Sequence, residues 1–438
     1  MPKPALSGGP RTVTTAAPQS PIVSEREIQA VVELMRKGEI SVSPLVSEFE
    51  EEFASYIGCE FGLASNSGTS SLHEGLAGVG LPPGGEVIVP SYTFGPGAAT
   101  ILAARGVPVF CEVDTETHCI DPEDVRRKIT PNTHAIMVVH VWGNPCDMGP
   151  ILDIARKHDL AIVEDCSHAH GATWHGRKIG SIGDVGCFSL QGSKLVKAGE
   201  GGVLTTNSRD VYERAAATGR TEKISTFPAD SIFKQCPPLG SGFKHRPHPL
   251  GMALAREQLR DLDERNEIRD TQGTRLDAAL AGMPGITPQL VLPDCRRVYA
   301  YHFSGYDETA LGGLTLEVFL RALKAEGVRC SRIGYGRLHN VPLFEPGSPY
   351  QEGCLGTCPH ITATKALACG PLPQTEYLRT HSFGVAPRFE VDCPELIDQY
   401  IRAYHNVTSS VDELLRWQVE NTDKVQPVEV SGRSLNPV

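Results

Sequence analysis

Long apolar runs are missing from this chain of 438 residues, and none approaches the roughly eighteen residues that a membrane-spanning helix needs, so no span is expected. Positive charge is also in short supply. Lys and Arg number 41 against 52 Asp and Glu, which gives a formal charge of −11 at pH 7. No basic stripe with interleaved aromatics occurs, and the balance argues against binding nucleic acid or an anionic membrane. Cysteine is present, but a disulfide framework is not: the 13 cysteines are odd in number and scattered. That usage fits a reducing compartment and predicts a cytoplasmic protein. The opening MPKPALSGGPRTVTTAAPQSP lacks the apolar centre of a signal peptide, and its Pro, Ser, Thr and Gly content predicts a disordered arm over residues 1–22. The one cluster with metal-like spacing, Cys354, Cys358 and His360, has no second ligand pair, so no metal is expected.

What is present is enough apolar sequence for a sizeable core, at 40% of residues. The length exceeds the ~250–300 residues at which one core usually divides, so two domains are expected. Strand-like runs at Glu86 to Val89, Pro108 to Val113, Ala135 to Val141, Leu160 to Val163, Gly186 to Leu190 and Gly202 to Thr206 alternate with helical or loop segments. That alternation is the pattern of an α/β protein. The reading gives a large domain over 23–265, a smaller C-terminal domain over 266–418 and a polar tail over 419–438. Within it, helices are predicted at Ala253 to Glu267, Leu316 to Glu326 and Pro394 to Leu415.

Three segments carry chemistry. In GDVGCFSLQGSKLVKAGEGG, Gly183 to Gly202, Lys194 follows a buried strand and precedes glycines that admit close approach of a ligand. Burial and the charge of Lys197 are expected to favour its neutral amine, the form that attacks an aldehyde. In AIVEDCSHAHGA a short apolar strand runs into Asp165, which a parallel sheet would place in the ligand crevice; the alternative is a helix cap. In FGLASNSGTSSLHEGL, Ser67, Gly68, Thr69 and Ser70 open a helix with free N–H groups and hydroxyls, a setting for an anion such as phosphate, although hydroxyl residues also simply cap helices. Ser189 is a further candidate phosphate donor.

Taken together, SGTSSL at 67–72, VPSYTF at 89–94, EDCSHAHGA at 164–172 and GDVGCFSLQGSK at 183–194 resemble, in order, the DegT/StrS family of pyridoxal-phosphate sugar aminotransferases. The resemblance implies fold type I, an α/β architecture whose large domain has a mostly parallel seven-stranded sheet beside a smaller C-terminal α/β domain. It implies pyridoxal 5'-phosphate as cofactor, Lys194 as its Schiff-base lysine and Asp165 as partner of the ring nitrogen, a carboxylate that keeps the ring an electron sink. By the same resemblance Thr69 and Ser189 bind the phosphate, Phe94 stacks on the ring and His168, where relatives often have Gln, packs by the phenolic oxygen. Gln191, Tyr335 and His339 fall among substrate-side residues. In GFKHRPHPLG, Lys244 stands where many relatives have Asn and Arg246 is retained. That segment reaches the partner's cofactor phosphate in the family, so a homodimer with shared sites is implied. The Lys244 variant is more similar to the branch that aminates ketocyclitols such as scyllo-inosose than to the nucleotide-sugar branch. The reaction implied moves an amino group from glutamine or glutamate to a ketocyclitol or ketosugar acceptor. Dehydrating relatives replace the lysine with histidine, whereas Lys194 is present here. An aminohydroxybenzoate-type synthase and a non-catalytic, cofactor-binding regulator remain as alternatives.

Overall fold

The computed structural model describes residues 3–18, 22–235, 242–332, 335–344, 370–386 and 389–421. The first half of the chain lays down β1 (Phe61–Ser65), β2 (Glu86–Pro90), β3 (Val107–Cys111), β4 (Thr133–Val139), β5 (Ala161–Asp165), the two-residue β6 (Thr173–Trp174) and β7 (Arg177–Lys178), then β8 (Val185–Ser189) and β9 (Gly202–Thr206). Seven of these form one sheet in the order β1-β9-β8-β5-β4-β2-β3. Its neighbours from β8 to β3 pair in parallel, and only β9 runs against β8 and β1.

Both faces of this sheet are covered, which explains why β2 (EVIVP) and β3 (VPVFC) read as unbroken buried runs. Alternate residues feed two cores: Ile136 and Val138 of β4 join the cluster around Phe49, Phe53 and Phe188. Ala135 and Met137 join the one around Leu76, Ile101 and Phe110 on the other face. Each fully buried aliphatic or aromatic side chain here contributes about 1.5–3 kcal/mol.

A second, antiparallel sheet is built from β10 (Ile286–Pro288), β12 (His302–Tyr306), β13 (Arg329–Ser331) and β14 (Ser382–Ala386), in the order β10-β12-β14-β13, while β11 (Cys295–Arg296) pairs with β6. Helices Leu316–Glu326 and Pro394–Thr408 cover it around Phe319, Phe383, Tyr400 and Tyr404. Among the described residues no helix is long and apolar enough to cross a membrane.

Three expectations need correction. The N-terminal arm is docked, not disordered, over residues 3–18: Glu326 accepts from Ala5 N (2.9 Å) and Thr12 N (3.2 Å), and Gln399 Oε1 accepts from Thr14 N and Thr15 N. Val13 is buried with the second core. The helix expected over 253–267 is two helices, Pro249–Arg260 and Leu262–Leu280, divided at Asp261, whose φ of −99° and ψ of 5° leave helical geometry. The closing helix likewise splits into Pro394–Thr408 and Val411–Glu420, so an ordered helix enters the region read as tail. At this break the Thr408 hydroxyl donates back to the Tyr404 carbonyl (2.9 Å), the kind of local competition by which Ser and Thr weaken helices.

Candidate active site

The parallel register sets Asp165 between Val139 of β4 and Cys187 of β8, at the carboxyl end of β5 where open α/β sheets bind ligands. No helix follows it, so the capping role does not arise. Instead Oδ1 accepts from Ser167 N at 3.0 Å, fixing the carboxylate, while Oδ2 faces Gly97, where an added Cβ would lie 3.7 Å away.

Beneath Asp165 lies a feature that the sequence did not reveal. Glu164 is fully buried, and its Oε1 accepts from Ile182 N (2.9 Å) and Gly183 N (2.7 Å). Its Oε2 accepts from Gly180 N (3.0 Å) and lies 3.1 Å from His140 Nε2. Burial pushes this carboxyl up, but His140 and the backbone donors outweigh it and hold the group below its usual value. His140 Nδ1 accepts from Cys146 N at 3.0 Å, which puts the ring proton on Nε2, facing Glu164. Cys166 completes a cluster of metal-ligand types with these two residues. Because both Glu164 oxygens and His140 Nδ1 already accept N–H groups, the arrangement is a hydrogen-bonded lock that fixes β5 and its Asp165.

The anion segment follows β1, at the edge of the sheet, and meets the end of β8, the strand beside β5. Ser67 caps helix Gly68–Gly78, accepting from Ser70 N, so for this residue the capping role holds. The Ser70 hydroxyl donates to Asn66 Oδ1 (2.6 Å), and Thr69 is exposed at the helix start. Gly68 is required by contact: a Cβ there would lie 2.7 Å from Ser189 Cβ. The helix start and Ser189 therefore close on each other only because position 68 has no side chain, which brings N–H groups and a hydroxyl to one place.

Lys194 is half-buried in the turn after β8, where its N–H donates to the Gln191 carbonyl at 2.7 Å. Gln191 is folded into the same turn, with Oε1 accepting from Ser193 N. Lys197 is buried and paired with Glu390 at 2.8 Å, and Glu390 also holds Arg269 at 3.0 Å, so this lysine serves an internal ion network. The neighbour that feels Lys194 is His170, fully buried, whose pKa is pushed down to about 3 by burial and by the Lys194 charge.

An aromatic wall lines the crevice. Phe94 is 59% exposed at the start of helix Gly95–Ala103, so its ring is open to a partner. His168 stacks on Trp142 with ring centres 5.3 Å apart and 11° between planes, and Tyr335 stacks on Trp142 at 4.9 Å and 2°. Burial, with Tyr301, Tyr92 and Asp165 nearby, pushes the Tyr335 phenol well above its usual value. His339 is buried and committed: the Ser91 hydroxyl lies 2.7 Å from its Nδ1, and Glu376 lies 3.7 Å from its Nε2. Its geometry ties the 335–344 loop to the end of β2, a role different from an open substrate-side histidine. Lys244 is exposed, with its carbonyl accepting from Asn66 Nδ2 at 3.3 Å, and Arg246 lies 3.7 Å from Glu222. Cys354, Cys358 and His360 lie outside the described residues.

Asp165 thus lies at the end of β5, the Gly68–Ser189 contact at the end of β8, Lys194 in the turn after β8 and the exposed Phe94 ring after β2. The model of the DegT/DnrJ/EryC1/StrS aminotransferase family matches residues 21–376. The chain belongs to that family. It is therefore a pyridoxal-phosphate-dependent aminotransferase of the α/β class. It is 30% identical over 399 residues to the spore coat polysaccharide biosynthesis protein SpsC of Bacillus subtilis (strain 168), covering 90% of this chain and 97% of that protein. It is 33% identical over 355 residues to the L-glutamine:scyllo-inosose aminotransferase of Streptomyces griseus, covering 78% and 84% of the two chains. The crystal structure of DesI in the presence of its TDP-sugar product superimposes with a TM-score of 0.73 at 25% identity, over 96% of this chain and 99% of that one. The residues present fit the family's cofactor: the Gly68–Ser189 contact forms an anion cradle, and the open Asp165 oxygen suits a protonated ring nitrogen.

Proposed function

We propose that this aminotransferase moves the amino group of glutamine or glutamate onto a ketocyclitol or a lightly decorated ketosugar, with Lys194 as the reacting amine. The observation that supports the reading is the placement of Asp165 at the end of β5 and of the Gly68–Ser189 contact at the end of β8, with Lys194 in the turn that follows β8. The bound cofactor supplies an electron sink for the charge left when the donor's α-carbon loses its proton. Lys194 Nζ would move that proton from the donor's α-carbon and, in the second half of the reaction, deliver one to the carbon of the acceptor. Asp165 holds the proton on the ring nitrogen, and Ser67, Gly68, Thr69, Ser70 and Ser189 fix the phosphate so that the reacting atoms stay aligned. Phe94 would stack on the ring, and His168 would lie by its phenolic oxygen.

The acceptor class rests on the Lys244 segment and on relatives named for scyllo-inosose, including the Streptomyces griseus enzyme. Comparing scyllo-inosose with a nucleotide-linked 4-ketosugar under identical glutamine supply tests it. Amination of the cyclitol is expected, and exclusive turnover of the nucleotide sugar would overturn the acceptor while leaving the aminotransferase in place.

The second part of the proposal is a homodimer in which the exposed Lys244 side chain reaches the partner's cofactor phosphate, supported by the similarity of GFKHRPHPLG to the family's segment that crosses to the neighbouring subunit. Mixing Lys194→Ala with Lys244→Ala subunits is expected to restore activity, because one site of the mixed dimer regains both residues. Confirmed heterodimers without activity would mean that Lys244 serves its own subunit.

A further inference from the structure

Trp142 is the centre of the aromatic wall, yet no step of the proposed reaction uses it. Its backbone is strained: φ is 59° inside the short turn Val141–Gly143, a left-handed geometry that costs a bulky residue free energy and persists where the surroundings enforce it. Two surroundings do so. From the second sheet, Phe303 lies parallel to the indole at 4.2 Å and 10°, and from the 335–344 loop Tyr335 lies at 4.9 Å and 2°. What the strained turn accomplishes is local. It aims the Trp142 N–H at His168 Nδ1, 3.3 Å away, while the indole stacks on the same imidazole at 5.3 Å and 11°. His168 is thereby fixed in both plane and tautomer: with Nδ1 accepting, the neutral ring carries its proton on Nε2.

We propose that Trp142 is a positioning residue that holds His168 as the Nε2–H tautomer, turned edge-on to donate to the phenolic oxygen of the bound cofactor. The inference rests on the placement of His168 by that oxygen. Relatives with Gln at this position have an amide donor that needs no tautomer control; a histidine does need it, and Trp142 supplies it. The link also runs from the second sheet through Phe303 and Tyr335 to the cofactor edge, so seating of the small domain and orientation of the donor are coupled.

A hydrogen bond donated to the phenolic oxygen favours its anionic form and lowers the pH at which the bound cofactor's near-visible absorption band changes. The charged and titratable groups around His168 and its stacking partners include Asp165, Tyr92, Tyr301 and Tyr335, with His118 against Tyr92 and Phe303. The test is a spectrophotometric pH titration of holoenzyme. Trp142→Leu is expected to raise the midpoint by about one unit, and Trp142→Phe, which keeps a flat ring, to restore most of it. In a His168→Gln background, Trp142→Leu is expected to leave the midpoint where it was. An equal rise in both backgrounds would show a structural effect and overturn the proposal. A His168→Ala enzyme with an unmoved midpoint would remove the placement of His168 itself, and the proposal with it. Should Trp142→Leu fail to fold, the wild-type ring decides: nitrogen-15 spectra of histidine-labelled protein must show His168 protonated at Nε2, and protonation at Nδ1 instead overturns the assignment.

Discussion

Glu164 and Asp165 are adjacent carboxylates with opposite duties, and the difference comes from their hydrogen bonds. Glu164 has four donors on two oxygens and no solvent, so it is an internal anion that anchors β5. Replacing it with Gln puts an N–H₂ group among donors that need an acceptor; the expected loss is about 3 kcal/mol of unfolding free energy, read from the denaturant midpoint. A stability within 0.5 kcal/mol of wild type, about the spread of an ordinary surface change, would contradict the lock. Asp165 keeps one oxygen directed into the crevice, and Asp165→Asn is expected to retain bound cofactor while turnover falls by about 100-fold or more. The phosphate cradle survives that change, and the charge that maintains the electron sink does not. Near wild-type turnover would mean that another acid partners the ring.

At the scale of elements, the N-terminal arm makes the sharpest test. Two of its amides and the Thr12 hydroxyl converge on the Glu326 carboxylate, which is 1% exposed, so Glu326→Ala leaves these donors without their acceptor. The expected cost is about 2 kcal/mol, accompanied by faster tryptic cleavage after Arg11. Unchanged cleavage would show that the arm is held by something else. The arm was illegible in the sequence because its composition is that of a solvated segment, while its partners Glu326 and Gln399 lie far along the chain. The strands were legible for the opposite reason. A sheet covered on both faces demands continuous apolar runs, and those runs end within two or three residues of the observed boundaries. The placement of Lys194, Asp165 and Ser67–Ser70 at strand ends was legible because each lies in a local strand-turn context. His140, Trp142 and the Lys197–Glu390 pair could not, since their meaning depends on partners that only the fold brings near. Helix breaks at Asp261 and Ser409 were missed because polar residues there are compatible with a helix until tertiary packing decides.

For the whole molecule, buried neutral histidines set the acid limit. His118 and His170 are fully buried, and burial pushes both pKa values down from 6.5 to about 3, with Arg297 and Lys194 respectively adding to the shift. Unfolded chains protonate these rings below pH 6.5 while the folded protein does not, so stability is intact above that value and falls as pH drops toward 3. Each ring contributes at most about 1.4 kcal/mol per pH unit in that window. Urea midpoints measured between pH 7 and 5 are expected to fall, and His118→Gln or His170→Gln is expected to flatten the slope; a slope identical to wild type would assign the effect elsewhere.

The active site depends on which lysine carries the cofactor, because Lys194 and Lys197 are three residues apart and Lys197 is held by Glu390. Borohydride reduction of the holoenzyme followed by peptide mapping by mass spectrometry decides between them. The cofactor mass is expected on Lys194 alone, with Lys197 unlabelled inside its ion network. A label on Lys197, or no covalent label on protein that has bound the cofactor, would contradict the active site described above.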